Sequence, residues 1–327
     1  MIQRFRPVGM FIALVMLASS ISQLALAQTS LEKTTVVYRK VDGHEILADV
    51  YRPKGNRLCR VIVYIHGGAL ILGNRRLEGD TMVLPFAEQH GYAVVSIDYR
   101  LAPETKLPAI ISDVEAAFTW LGSDASKQFH LNTDRMVVVG GSAGGYLTLV
   151  TGYRVNPKPK ALISLYGYGH LNADWSAKPN PYPDYNKVKI AREEAMQQTD
   201  GTNISDSNLR KGDSSKIYLY YRQNGLWPRE VTGFSLDSLD KEIVPYEPVK
   251  NVTREYPPTL LIHGTKDEDV SFEESVQMSE QFKEHGVPYI FLPIDNGGHG
   301  FGGGDPAQIE DAFHTMREFM LKYLELK

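Results

Sequence analysis

Gly140-Gly141-Ser142-Ala143-Gly144-Gly145 contains a Gly-x-Ser-x-Gly pattern where an apolar run, Met136 to Val139, gives way to a helix-like stretch, Ala143 to Tyr153. Glycines two positions either side of a serine permit a tight strand-to-helix turn. The hydroxyl is then exposed at a helix start, where the dipole and free amides favour a developing negative charge. Ser142 is therefore a candidate nucleophile, and a nucleophile of this kind needs donors for an oxyanion. His66-Gly67-Gly68-Ala69, directly after the apolar run Val61 to Ile65, is a small-residue loop whose amides can approach without a Cβ in the way. Gly68 and Ala69 would share the oxyanion with the amide of Ala143.

Such a serine also needs a base and an acid that orients the base, and at this turn they follow in the chain order serine, acid, histidine. His263-Gly264-Thr265-Lys266-Asp267-Glu268-Asp269-Val270 offers three acids, of which Asp267 is the first choice, Asp269 the second and Glu268 the third. Only His285, His299 and His314 come after that segment. His285 precedes Gly286 at a helix end and His314 falls inside the last helix-like stretch. His299 lies in a glycine-flanked loop and is the candidate base. Asp295 is too near His299 in sequence to orient its ring, and Asp98 and Glu104 precede the serine and read as structural.

The elements that must position these residues alternate from Thr34 onward. Apolar runs that suit strands buried on both faces cover 35–40, 45–51, 61–65, 93–98, 136–139, 161–165, 259–262 and 289–293. The first two form an antiparallel pair about Asp42-Gly43. Helix-like stretches cover 112–121, 143–153, 272–285 and 307–326, the first with Asp113 in its first turn, where a carboxylate suits the dipole. Phe272, Val276, Met278, Ser279 and Phe282 have the spacing of one buried face. The candidate acid and base both follow a strand, at the sheet edge where Ser142 also lies and where open α/β sheets hold their ligands. Residues 167–258 break the rhythm. With Tyr166 at its edge this interval holds nine of the eighteen tyrosines and two of the three tryptophans, Trp175 and Trp227. It is too aromatic for a linker and reads as a cap or lid inserted after the sixth strand. Tyr166, Tyr168, Trp175, Tyr218, Tyr220, Tyr221 and Trp227 are its candidate pocket residues, with packing of the insert onto the sheet as the alternative role for most of them.

Taken together these residues resemble the α/β-hydrolase superfamily, and more narrowly the hormone-sensitive-lipase-like carboxylesterases. The narrower likeness rests on His66 to Ala69, on Asp98-Tyr99-Arg100-Leu101-Ala102-Pro103-Glu104, on the Gly140 to Gly145 turn and on the Asp267 and His299 loops. The resemblance implies a mostly parallel eight-stranded sheet flanked by helices, with Ser142 as nucleophile, Asp267 as acid and His299 as base. The aromatic side chains of the insertion favour a small or aromatic carboxylic ester over a long-chain lipid as substrate, and acyl transfer through these residues needs no metal or organic cofactor. Two departures stand out. Ala69 occupies a position where that family commonly has a third glycine, and the family's N-terminal helical cap is replaced here by strands, with the long insert placed later. The Asp98 to Glu104 motif reads as a brace for the oxyanion loop. A prolyl-oligopeptidase-type peptidase shares the order of the three residues but has a large N-terminal propeller, for which there is no room. A binding protein on the same fold is the alternative from outside catalysis.

The 327 residues include 43% apolar and 23% charged side chains, enough for one large domain with a core that needs no staple. Lys and Arg number 35 against 39 Asp and Glu, with no sustained basic run, which argues against a nucleic-acid partner. Cys59 is the only cysteine, so an intramolecular disulfide and a Cys-rich zinc site are excluded. Arg4 and Arg6 precede an apolar run, Val8 to Ala18, and Ala25-Leu26-Ala27 offers a cleavage site, so residues 1–27 read as a secretory signal and 28–327 as the hydrolase domain. The expectation is a secreted or periplasmic protein with no stable membrane insertion after cleavage; stretching the run across Ser19, Ser20 and Ser22 would make an uncleaved anchor. Asn203-Ile204-Ser205 and Asn251-Val252-Thr253 match the glycosylation sequon.

Overall fold

The computed structural model describes residues 30–235 and 237–325, and the expected signal, 1–27, lies outside them. Eight strands form one sheet in the order β1-β2-β4-β3-β5-β6-β7-β8. Their ranges are β1 Leu31–Val41, β2 His44–Pro53, β3 Cys59–Ile65, β4 Ala93–Ile97, β5 Leu131–Gly141, β6 Ala161–Leu165, β7 Thr259–Gly264 and β8 Tyr289–Ile294. The β1–β2 hairpin turns on Asp42 and Gly43, both with positive φ, as a two-residue turn matched to right-handed strand twist requires. β2 also runs antiparallel to β4, and every later pairing is parallel. β4 and β6 are buried along their whole length, which is why they read as unbroken apolar runs.

Successive side chains leave a strand on opposite faces, so the sheet separates two cores. Val61, Val63 and Ile65 pack on one face with α2 (Leu107–Trp120), α3 (Ala143–Arg154) and the insertion. Ile62 and the alternate residues Val137 and Val139 of β5 pack on the other with α1 (Val83–His90) and α7 (Pro306–Glu325). Two helices differ from the sequence expectation. α1 has eight residues and was not foreseen, because Val83, Phe86 and Ala87 are too few to establish a period. α2 starts at Leu107 rather than Ser112, with Pro108 in its first turn where the missing N–H costs nothing. Asp113 therefore sits in mid-helix, fully buried, and pairs with Arg100 and Arg39 instead of with a helix dipole.

The insertion between β6 and β7 contains short helices, among them α4 (Ser215–Asn224) and α5 (Trp227–Thr232), and no strand among its described residues. It is tied down by buried charge. Arg210 meets Glu104 through two nitrogens, Nε to Oε1 at 2.9 Å and Nη2 to Oε2 at 2.6 Å, with both side chains 2% exposed or less. The same guanidinium donates to the carbonyls of Ile71 and Ala102. On α6 (Glu273–Glu284), Glu274 accepts from the amides of Gly169 and His170 and from Trp175 Nε1, each at 2.9 Å. This load explains why Glu274 is buried beside the foreseen Met278, Ser279 and Phe282, while Val276 is only half-buried.

Candidate active site

β5 ends at Gly141 and α3 begins at Ala143, so the whole change of direction falls on Ser142, at φ 56° and ψ −124°. Left-handed backbone at a non-glycine residue costs about 1–3 kcal/mol and persists only where its surroundings enforce it. Here the Ser142 amide donates to Leu165 O and the Ser142 carbonyl accepts from Tyr146 N, both at 2.9 Å. Gly144 makes the turn sterically feasible, since a Cβ there would stand 2.0 Å from Ile65 O. The loop after β3 lies directly against the turn: a Cβ on Gly67 would come within 2.7 Å of Gly141 O. Ala143, as the first residue of α3, has an N–H with no intrahelical acceptor. Ala69 lines the same cavity as Ser142, and its carbonyl accepts from Trp227 Nε1 of the insertion at 3.0 Å.

The segment Asp98 to Glu104 braces this loop from behind. Tyr99 donates its hydroxyl to His66 O at 2.9 Å and stacks on the His66 ring at 4.2 Å. Burial holds the His66 imidazole down at about 4, so it is neutral, and Nδ1 donates to Gly67 O. Asp98 pairs with Arg75, and Glu104 with Arg210.

His299 follows β8 and reaches back over the sheet edge. Its Nε2 lies 3.0 Å from Ser142 Oγ and its Nδ1 lies 2.8 Å from Asp267 Oδ2. A carboxylate on Nδ1 fixes the proton there and leaves Nε2 bare towards the serine. Tyr166 meets the His299 ring edge-on at 4.8 Å. Asp267 is saturated: Oδ1 accepts from the amides of Asp269 and Val270, both at 2.9 Å, and Oδ2 lies 3.2 Å from Nε2 of the buried His263. Burial alone would raise the Asp267 carboxyl, but the hydrogen bonds from His263 and His299 outweigh it and hold the group well below the usual carboxylate range. Burial opposes charge on His299, yet the Asp267 hydrogen bond and the negative charges of Asp269 and Asp267 raise its pKa above the ordinary 6.5.

The other candidates go elsewhere. The Glu268 side chain is exposed. Asp295 is bound to Gln308 of α7, and His285 and His314 are exposed. Asp269, the second-ranked acid, faces the opposite edge of the base, its Oδ2 3.7 Å from His299 Nε2. Of the aromatic residues singled out, Tyr168, Trp175, Tyr218 and Trp227 line a narrow cavity beside Ser142, whereas Tyr166, Tyr220 and Tyr221 do not. Among the described residues, no group of three or more His, Cys, Asp or Glu is arranged to hold a metal ion.

A family model described as the alpha/beta hydrolase fold matches residues 62–302. The chain belongs to the α/β-hydrolase fold family. This α/β hydrolase is 30% identical over 308 residues to the non-reducing polyketide synthase Preu6 of Preussia isomera, a match that covers 84% of this chain and 14% of that protein. It is 26% identical over 290 residues to esterase LipC of Mycobacterium tuberculosis, covering 84% of this chain and 61% of LipC. The hydrolase thus spans less than two thirds of either relative. Its fold is also that of a hyperthermophilic esterase from the archaeon Pyrobaculum calidifontis, with a TM-score of 0.58, 24% identity, and 90% of this chain and 85% of that one aligned.

Arg222, beside Ser142 and Asp269, is not among the residues the sequence singles out. Arg222 is 1% exposed, lines the cavity, and donates to the carbonyls of Trp175 and Asp269. Its signal was faint: it stands four residues after Tyr218, the spacing that puts two side chains on one helix face. Trp227 is among the residues singled out, but its bond to Ala69 O is not read from the sequence.

Proposed function

We propose that this α/β hydrolase is a carboxylesterase that works through a Ser142–His299–Asp267 triad and an acyl-enzyme on Ser142. The observation that carries the reading is His299 held between Ser142 Oγ at 3.0 Å and Asp267 Oδ2 at 2.8 Å. His299 Nε2 takes the serine proton as Oγ attacks the ester carbonyl, and Asp267 keeps the tautomer and stabilises the imidazolium. The carbonyl oxygen becomes an oxyanion facing the amides of Gly68, Ala69 and Ala143. Collapse breaks the bond to the alcohol, which leaves with the His299 proton. Water, deprotonated by His299, then releases the acid and restores Ser142.

A small-molecule ester with a small acyl group suits the narrow space beside Ser142 walled by Trp175, Trp227, Tyr168 and Tyr218. The word esterase in the name of LipC supports the reaction class. No helix among the described residues is long and apolar enough to cross a membrane, and export through a signal cleaved after Ala27 remains part of the proposal. The test is hydrolysis of nitrophenyl esters of increasing acyl length by the protein and by Ser142→Ala, with fluorophosphonate labelling of Ser142. Turnover of the short esters that disappears in Ser142→Ala is the expected result. Undiminished turnover in the variant would overturn the triad, and absence of both turnover and labelling in folded protein would overturn the enzyme. For export, the N-terminal residue of the secreted product is expected to be Gln28.

A further inference from the structure

We propose that Asp269 selects esters whose alcohol carries a hydroxyl on the carbon adjacent to the one that bears the ester oxygen, its carboxylate accepting a hydrogen bond from that hydroxyl during departure of the alcohol. The inference rests on the triad reading above. It starts from the two oxygens of Asp269, which have different surroundings. Oδ1 accepts from the Tyr218 hydroxyl and stands 3.6 Å from Arg222 Nη2. Oδ2 faces His299 Nε2 at 3.7 Å, beyond hydrogen-bond length, so its acceptor capacity is turned towards the space in which that nitrogen works.

The backbone that carries this side chain is fixed from two sides. The Asp269 amide donates to Asp267 Oδ1 at 2.9 Å, and the Asp269 carbonyl accepts from Arg222 Nη2 at 2.8 Å. Arg222 is held in turn by Trp175 O and lies over the rings of Trp175 and Tyr185. The charged and titratable groups that face Asp269 are therefore His299 and Asp267 from the sheet edge and Tyr218, Arg222 and Tyr185 from the insertion.

When the tetrahedral intermediate collapses, the carbon–oxygen bond to the alcohol breaks and the Nε2 proton passes to that oxygen, which must lie within about 3 Å of Nε2. An oxygen on the neighbouring carbon, gauche to the leaving oxygen, lies about one hydrogen-bond length from it and so within reach of Oδ2. An ionised carboxylate only accepts, so the neighbouring group has to be a donor; a methyl ether would leave Oδ2 dry and unpaired, and an anionic substituent would be repelled. Arg222 already offsets the charge of Asp269, which favours a neutral hydroxyl over an ammonium. Room for more of such an alcohol exists: Trp175, Arg222 and Asp269 also border a second, larger cavity lined by Asp174, Asn180 and Tyr182. A partly acylated polyol, such as a sugar ester, fits this description.

The test compares kcat/KM for 2-hydroxyethyl acetate and 2-methoxyethyl acetate, with 4-nitrophenyl acetate as a substrate that has no neighbouring hydroxyl. The full chain is expected to prefer the hydroxyethyl ester by about 10-fold or more, the usual penalty of an unpaired buried acceptor. Asp269→Leu should bring that ratio to within about threefold. A ratio near one in the unsubstituted protein overturns the proposal, which keeps it falsifiable even where Asp269→Leu fails to fold. A ratio that persists in Asp269→Leu also overturns it, even if all three esters slow together, because that pattern belongs to positioning of the hydrolytic water. Turnover of 4-nitrophenyl acetate that survives in Ser142→Ala is a different failure, that of the triad itself.

Discussion

Asp267 and Asp269 are two residues apart, carry the same group and face opposite edges of one imidazole. Their neutral variants should therefore fail in different ways. Asp267→Asn offers His299 Nδ1 an amide that can hold the wrong tautomer, and a loss of about 10⁴ in kcat is expected from steady-state kinetics. Asp269→Asn leaves the tautomer alone but removes a negative charge that raises the His299 pKa. His299 must be neutral to accept the serine proton, so kcat/KM rises with pH through that raised value. In Asp269→Asn the rising limb should move to lower pH; a limb that stays in place would show that Asp269 exerts no field on the base. The two aspartates also illustrate what a sequence can tell. The order serine, acid, histidine narrows the acid to three neighbours, and the Gly-flanked loop singles out His299. What separates Asp267 from Asp269 is that both oxygens of Asp267 are filled by His299, His263 and two loop amides, and that depends on how the loop closes. Arg222 belongs to no motif, and its spacing from Tyr218 alone is too faint to mark it.

At the scale of elements, the insertion and the hydrolase body meet through contacts that are expensive to break on one side only. Arg210→Met leaves Glu104 buried without its partner and should cost about 3–5 kcal/mol in denaturant unfolding; adding Glu104→Gln should recover part of that loss. Full additivity of the two substitutions would show that the pair is not coupled. Trp227→Phe keeps an aromatic ring, though a smaller one, and removes the N–H that holds Ala69 O. A fall in kcat of about 3- to 10-fold, with KM little changed, is the expected signature of a loosened oxyanion loop. Most strands were legible, because a strand buried on both faces is an unbroken apolar run. β5 begins five residues before its run because Leu131 and Asn132 pair with Cys59 and Arg60 through backbone bonds that ask nothing of side-chain polarity. α1 and the helices of the insertion were not legible: stretches of four to ten residues have too few turns to show a period, and tertiary contacts decide their shape.

Over the whole molecule, the sheet closes neither of its sides. β1 is an outer strand studded with Glu32, Lys33, Arg39 and Lys40, and β8 is the other outer strand, interrupted by Pro293, which has no N–H to offer. Both devices discourage further strands from adding. Pro293→Thr restores a donor there and should increase the aggregate seen by light scattering during refolding, with little effect on kcat. The lone thiol makes a separate prediction. Cys59 is 1% exposed at the start of β3, so a thiol reagent should titrate one group after unfolding and none before.

The bond from Trp227 to Ala69 and the grip of Arg210 on Ile71 and Ala102 also bear on protein engineering. A chimaera that exchanges the insertion for that of another hydrolase, or a library that randomises it, would rebuild the loop after β3, the proposed oxyanion site, without changing a residue of it. Losses of turnover in such a screen would then be misread as loss of substrate fit. Freezing Trp227, Arg210 and Glu104 while the remaining insertion positions vary would separate selectivity from catalytic competence and keep most clones active enough to rank.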